Sequence, residues 1–127
     1  MTIYKKSLII APHPDDEVLG CAGTILKNKE KKIENYCIYV TNFSKKNKKY
    51  KAKKLQMKKV SKVLGFKKTF ELNFQPSMLD KIGKKKIIDN LKKIIDNVKP
   101  HLLYLPNRGD AHSDHKIIFD CSKPFMK

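Results

Sequence analysis

An apolar run, Leu8-Ile9-Ile10-Ala11, leads directly into Pro12-His13-Pro14-Asp15-Asp16-Glu17, and a helical pattern follows through Val18, Leu19, Ala22, Ile25 and Leu26. A short β-forming run that breaks at proline and resumes with helical spacing reads as a buried strand handing over to a helix. The pattern predicts a strand over 7–12 and a helix over about 17–29, with Asp15 or Asp16 near its N-cap. One imidazole and three carboxylates thus crowd the end of a strand. Open α/β sheets place their ligand sites at that edge.

The rest of the chain repeats the alternation. Residues 35–41, rich in β-formers, read as a second strand. A lysine-rich segment follows, whose second half carries a helical stripe of Ala52, Leu55, Val60, Val63 and Leu64 and stops at Gly65. Residues 69–73 form a third, shorter strand candidate, and Pro76-Ser77 opens a loop. Ile87, Ile88, Leu91, Ile94, Ile95 and Val98 make a helical face ended by Pro100. Residues 101–105 are the fourth strand, closed by Pro106, and a last helix begins near Ser113. Strands separated by helices imply βαβ units with right-handed crossovers. The expected fold is α/β, a Rossmann-like three-layer α/β/α sandwich with a mainly parallel sheet, in a single domain over 1–127.

A second cluster, Asp110-Ala111-His112-Ser113-Asp114-His115, follows the fourth strand. In a parallel sheet it lies at the same edge as the first. If strands one and four are neighbours, the two clusters converge although they stand near opposite ends of the chain. Two histidines and a carboxylate make a catalytic zinc set with a position left for water. A carboxylate outside that set can take a proton from the water. The positive end of the first helix helps keep these acids ionised.

Composition narrows the remaining classes. No run of about 18 apolar residues is present, so no membrane span is expected, and the apolar run near the start is too short for a secretory signal. The three cysteines, Cys21, Cys37 and Cys121, lack metal-type spacing. They read as reduced thiols of a cytoplasmic protein. The formal net charge is +17, carried almost wholly by lysine, with Arg108 the sole arginine. Arginine is the usual reader of phosphate and base edges. The lysines therefore read as a solvated surface rather than a specific nucleic-acid interface; a lysine-driven binder would instead show affinity falling steeply with salt.

The two clusters resemble the signatures of the PIG-L/LmbE-like family of zinc-dependent N-deacetylases. Pro12-His13-Pro14-Asp15-Asp16-Glu17 matches the first, roughly [AP]-H-P-D-D-E, and Asp110-Ala111-His112-Ser113-Asp114-His115 the second, roughly D-x-H-x-D-H. The resemblance extends from about Ser7 to Phe125. It implies that His13, Asp16 and His115 hold the zinc, with iron or cobalt also acceptable to such donors. It implies that Asp15 is the general base, that His112 steadies the oxyanion and protonates the leaving amine, and that Asp114 orients His112. Thr41, Asn42 and Arg108 fall at positions suited to substrate contact. Glu17 and Asp110 read more readily as structural acids, His101 as a strand-entry residue, and Tyr104 as packing.

The implied activity is removal of an N-acetyl group from an N-acetylated amino sugar of the GlcNAc type. Two departures from the family pattern bear on this. The helix after strand two reads Tyr50-Lys51-Ala52-Lys53-Lys54-Leu55-Gln56, without the family's usual arginine and acid. The family's chain also normally runs well past the second motif, whereas this one stops at Lys127. The metal set is expected to be complete and the pocket wall incomplete. The alternative to an active deacetylase is a truncated, inactive form that binds metal only or needs a partner chain. An uncovered sheet edge favours a homo-oligomer.

Overall fold

The computed structural model describes residues 4–106 and 112–126. Four strands, β1 (Lys6–Ala11), β2 (Glu34–Thr41), β3 (Phe66–Phe74) and β4 (Leu102–Tyr104), form one sheet in the order β3-β2-β1-β4. Every pairing is parallel. Between and after them run α1 (Asp16–Glu30), α2 (Tyr50–Leu64), the short α3 (Leu79–Ile82), α4 (Lys84–Val98) and α5 (Ser113–Ser122), with a closing 3₁₀ turn over Lys123–Phe125. The α/β class, the parallel sheet and the strand–helix order are as the sequence predicts.

Alternation along the strands divides two cores. Leu8 and Ile10 of β1 and Tyr36, Ile38 and Val40 of β2 face α4 and α5, meeting Ile87, Leu91, Val98, Ile118 and Cys121. Ile9, Ala11, Cys37 and Tyr39 face the other way and meet Ile25 of α1 and Met57 and Leu64 of α2. Both faces of β1 and β2 are covered, which is why their sequences are continuously apolar rather than alternating. Side chains one residue apart thereby feed opposite layers.

Three boundaries differ from expectation. β3 starts at Phe66 and ends at Phe74; Lys67 and Lys68 are both exposed where this edge strand shifts register against β2, and they conceal its periodicity. β4 is shortened to three residues. His101 stands just before it and fixes its entry: its Nδ1 accepts from the Lys5 and Lys6 amides at 3.2 Å each. The loop after Pro76 contains α3, whose Leu79 is buried. One turn of helix is too short to carry a readable period.

The cores predict a sharp contrast. Ile38→Ala, at a fully buried position of β2, lowers unfolding free energy by about 2–5 kcal/mol in urea titration. Leu19→Ala, at a position 84% exposed on α1, changes it by no more than about 0.5 kcal/mol.

Candidate metal centre

The β1–β4 pairing sets Ser7 opposite Leu102 and Ile9 opposite Tyr104. The segments leaving the two strands therefore start side by side, and His13, Asp16, His112 and His115 meet above the sheet's C-terminal edge. One Asp16 oxygen, Oδ2, stands 3.4 Å from His13 Nδ1 and 3.1 Å from His115 Nε2. Donor nitrogens of His13, His112 and His115 all lie within 4.8 Å of one another. Ligand atoms about 2.0–2.1 Å from a tetrahedral ion stand about 3.3 Å apart. Asp16 Oδ2 stands at about that spacing from both the His13 and the His115 nitrogen, so the residues present fit a divalent metal, with His112 beside them.

Hydrogen bonds set the ring tautomers. His13 Nε2 lies 2.8 Å from Asp114 Oδ2. A carboxylate can only accept, so this nitrogen carries the proton and neutral His13 keeps its lone pair on Nδ1, toward Asp16. A carboxylate behind a metal-binding histidine is the usual second layer of such sites. Asp114 is fully buried and accepts also from the Ser77 amide at 2.6 Å and the Leu79 amide at 3.4 Å. The otherwise unremarked loop around α3 thus anchors the acid that anchors His13.

His112 is the N-cap of α5 and its Nδ1 accepts from the Asp114 amide at 3.1 Å. That bond places the proton of neutral His112 on Nε2. The sequence expectation was that Asp114 orients His112. The structure links them through the Asp114 backbone, while the Asp114 carboxylate is bonded to His13.

The turn between β1 and α1 is tightly braced. Asp16 Oδ2 accepts from the His13 amide at 2.8 Å, and Glu17 Oε1 accepts from the Asp15 amide at 2.8 Å. Asp15 has φ 99° and ψ −24° and no side-chain capping bond. Asp15 is the N-cap of α1, as the sequence predicts, but the bonds run the other way: the Asp16 and Glu17 carboxylates reach back to the His13 and Asp15 amides. A non-glycine residue in this region stores about 1–3 kcal/mol of strain. The Asp15 carboxylate is exposed and pairs with Lys53 of α2 at 2.9 Å. Lys53 belongs to the segment that departs from the family pattern, and no spacing argument singles it out.

The other expected site residues are placed differently. Thr41 is fully buried and its hydroxyl donates to the Pro12 carbonyl at 2.7 Å. Asn42 is buried too: its Oδ1 accepts from the Phe43 amide at 2.8 Å, and its Nδ2 donates to Met57 Sδ at 3.4 Å. Both tie the end of β2 to its surroundings. Arg108 and Asp110 lie outside the described residues. Tyr104 accepts from Asn28 at 3.2 Å, in keeping with packing.

Burial works against charge on His13, but its bonds to Asp16 and Asp114 outweigh burial and raise its pKa above the ordinary value. Burial also works against ionised Asp16, and the bonds from His13 more than offset it, holding its pKa below the ordinary value. Burial raises Glu17, with the Tyr39 hydroxyl and the Asp15 and Val18 amides opposing it in part. A cavity of about 460 Å³ opens beside Asp16 and His115, walled by Leu19, Gly20, Cys21, Tyr104, Leu105 and Pro106.

A parallel α/β sandwich with a histidine–carboxylate cluster above its strand ends defines an α/β protein with a candidate metal centre. Residues 8–124 match the model of the family described as PIG-L, GlcNAc-PI de-N-acetylase, and the chain belongs to that family. No curated protein matches it in sequence. Among solved structures it is similar to an N,N'-diacetylchitobiose deacetylase from Pyrococcus horikoshii (24% identity, 94% of this chain and 48% of that one, TM-score 0.83). It is similar also to the zinc-inhibited form of the teicoplanin deacetylase Orf2 (15%, 93% and 62%, TM-score 0.78). A third is GalB, a 4-carboxy-2-hydroxymuconate hydratase from Pseudomonas putida KT2440 (14%, 94% and 55%, TM-score 0.80). These likenesses establish the fold. The chain spans about half the length of the first of these structures.

The pKa directions predict the pH range in which the cluster stabilises the metal-free protein. Asp16 is lowered from 3.8, so its contribution is complete above that value and fades as pH falls through the folded pKa. His13 is raised from 6.5, so its contribution is complete below that value and fades as pH rises through the folded pKa. The Tm difference between wild type and His13→Gln, both stripped of metal, is therefore largest from about pH 4 to about pH 6.5.

Proposed function

We propose that this chain is a metal-dependent N-deacetylase acting on an N-acetylated amino sugar. The observation that carries the reading is the meeting of Asp16 Oδ2 with His13 and His115, drawn from opposite ends of the chain; the adjoining Asp15 carboxylate is exposed. Family membership supports it, because the family is described by a de-N-acetylase activity. His13, Asp16 and His115 would hold the metal. Zinc suits two imidazoles and one carboxylate, and iron(II) is the next candidate. When bound, such an ion supplies Lewis acidity toward water and an acyl carbonyl.

The chain's own groups divide the proton work. Asp15, exposed and next in sequence to a ligand, accepts the proton of the attacking water. Lys53 pairs with its carboxylate and limits its swing. His112 presents Nε2–H, suited to the negative charge that develops on the carbonyl oxygen and then to the departing amine. Asp114 locks the His13 ring and so fixes the direction of Nδ1. The cavity beside Asp16 and His115 receives part of the substrate. The three cysteines are free thiols, which supports a reducing compartment such as the cytoplasm. Among the described residues no helix is long and apolar enough to cross a membrane.

A second reading has its own observation. β4 is an edge strand of the sheet, and the solved relatives are longer chains. The site wall beyond β4 would then be completed by a further segment or a partner chain, and the chain alone would bind metal without turnover.

Amine release from a panel of N-acetyl sugars separates the readings. Turnover that falls about 10²–10⁴-fold in Asp15→Ala supports the deacetylase; equal silence of wild type and variant removes it. Zinc bound by wild type, and lost in His115→Ala, is expected on either reading, and its absence removes the metal centre. Asp114→Asn keeps the volume but lacks the full carboxylate behind His13. It weakens zinc affinity about 10–100-fold by calorimetry.

A further inference from the structure

Glu17 is the one acid of the first motif with no task in the scheme above. It is 2% exposed, although a first-turn helix acid is ordinarily solvated. Its Oε1 accepts the Asp15 amide at 2.8 Å. Its Oε2 is buried and faces the Tyr39 hydroxyl, which is buried too. Burying a carboxyl at a helix start is costly in itself, so the position answers to something other than core stability. The residue it grips, Asp15, is in a left-handed conformation at φ 99° that a side chain rarely adopts. Such strain persists only where surrounding contacts determine it, and the Glu17 bond falls on the strained residue itself.

We propose that Glu17 is a positioning residue for Asp15: by accepting the Asp15 N–H it holds the left-handed turn that presents the exposed Asp15 carboxylate within reach of Lys53. The inference deepens the deacetylase reading and rests on it for its catalytic consequence. What Glu17 supplies is an acceptor in a fixed place. Glutamine retains that oxygen, and its amide nitrogen would point toward the Tyr39 hydroxyl, which can accept. Leucine and methionine fill similar space with no oxygen.

The experiment compares Glu17→Gln and Glu17→Leu, with Glu17→Met in place of leucine should leucine prevent folding. Three readouts are taken: Asp15 amide exchange by NMR, zinc affinity, and turnover of N-acetylglucosamine derivatives. In Glu17→Leu the Asp15 amide exchanges about tenfold or more faster. There kcat falls about 10–100-fold, with KM and zinc affinity within about threefold of wild type. Glu17→Gln restores both amide protection and kcat. A leucine variant with a protected amide or wild-type kcat overturns the proposal, and so does a glutamine variant as impaired as leucine. If wild type itself releases no amine, the deacetylase reading fails, and amide exchange alone then decides whether Glu17 holds the turn.

Discussion

The pairing of β1 with β4 is the contact on which the site depends. It spans only three residue pairs, yet it sets the exits of the two strands beside each other. Backbone bonds just outside it extend the alignment, the His101 amide donating to the Lys6 carbonyl at 2.9 Å. Above the sheet the His13–Asp114 bond closes the same seam through side chains. Two motifs far apart in sequence become one cluster because a short parallel ladder at the base and a charge-assisted bond at the top hold the same two segments. Asp114 then fastens the seam to α3 through the Ser77 and Leu79 amides, so a loop with no chemistry of its own sets the angle of a candidate ligand.

Much of this was legible in the sequence, for identifiable reasons. β1 and β2 are buried on both faces and announce themselves as continuous apolar runs. α4 repeats its apolar residues at helical spacing and shows a single face. Both motifs stand directly after strands, and parallel topology puts strand ends at one edge, so their convergence follows once β1 and β4 are neighbours. What could not be read is what depends on three-dimensional contact alone. The Lys53–Asp15 pair joins two helices through side chains with no mutual spacing rule. The exchange of Asp114 from His112 to His13 depends on which way a ring turns. The burial of Thr41 and Asn42 depends on the bonds each side chain finds, though both stand at the right sheet edge for a substrate contact.

Motif membership and local role separate most clearly at the turn after β1. Asp15, Asp16 and Glu17 are adjacent and chemically alike, yet they occupy three environments: exposed against Lys53, half-buried between two imidazoles, and sealed beneath the turn. Successive residues at a helix start point about 100° apart, and the left-handed Asp15 turns its own side chain further from the others. The backbone conformation, more than the residue type, gives one acid to the solvent, one to a candidate metal and one to the protein.

Charge distribution completes the argument. The chain has 29 basic residues against 12 acidic ones, a balance that repels cations from most of its surface. Asp15, Asp16, Glu17 and Asp114 gather at one sheet edge, and elsewhere acids such as Glu34, Glu71 and Asp96 are paired with lysines. The His–Asp cluster is therefore a local negative region set in a positive protein. A divalent cation is drawn there by short-range ligation rather than by the protein's long-range field, which instead favours anionic partners. Screening acts mainly on the long-range part. Added salt should therefore weaken the attraction of an anionic substrate to the surface more than it weakens metal held by buried and half-buried donors.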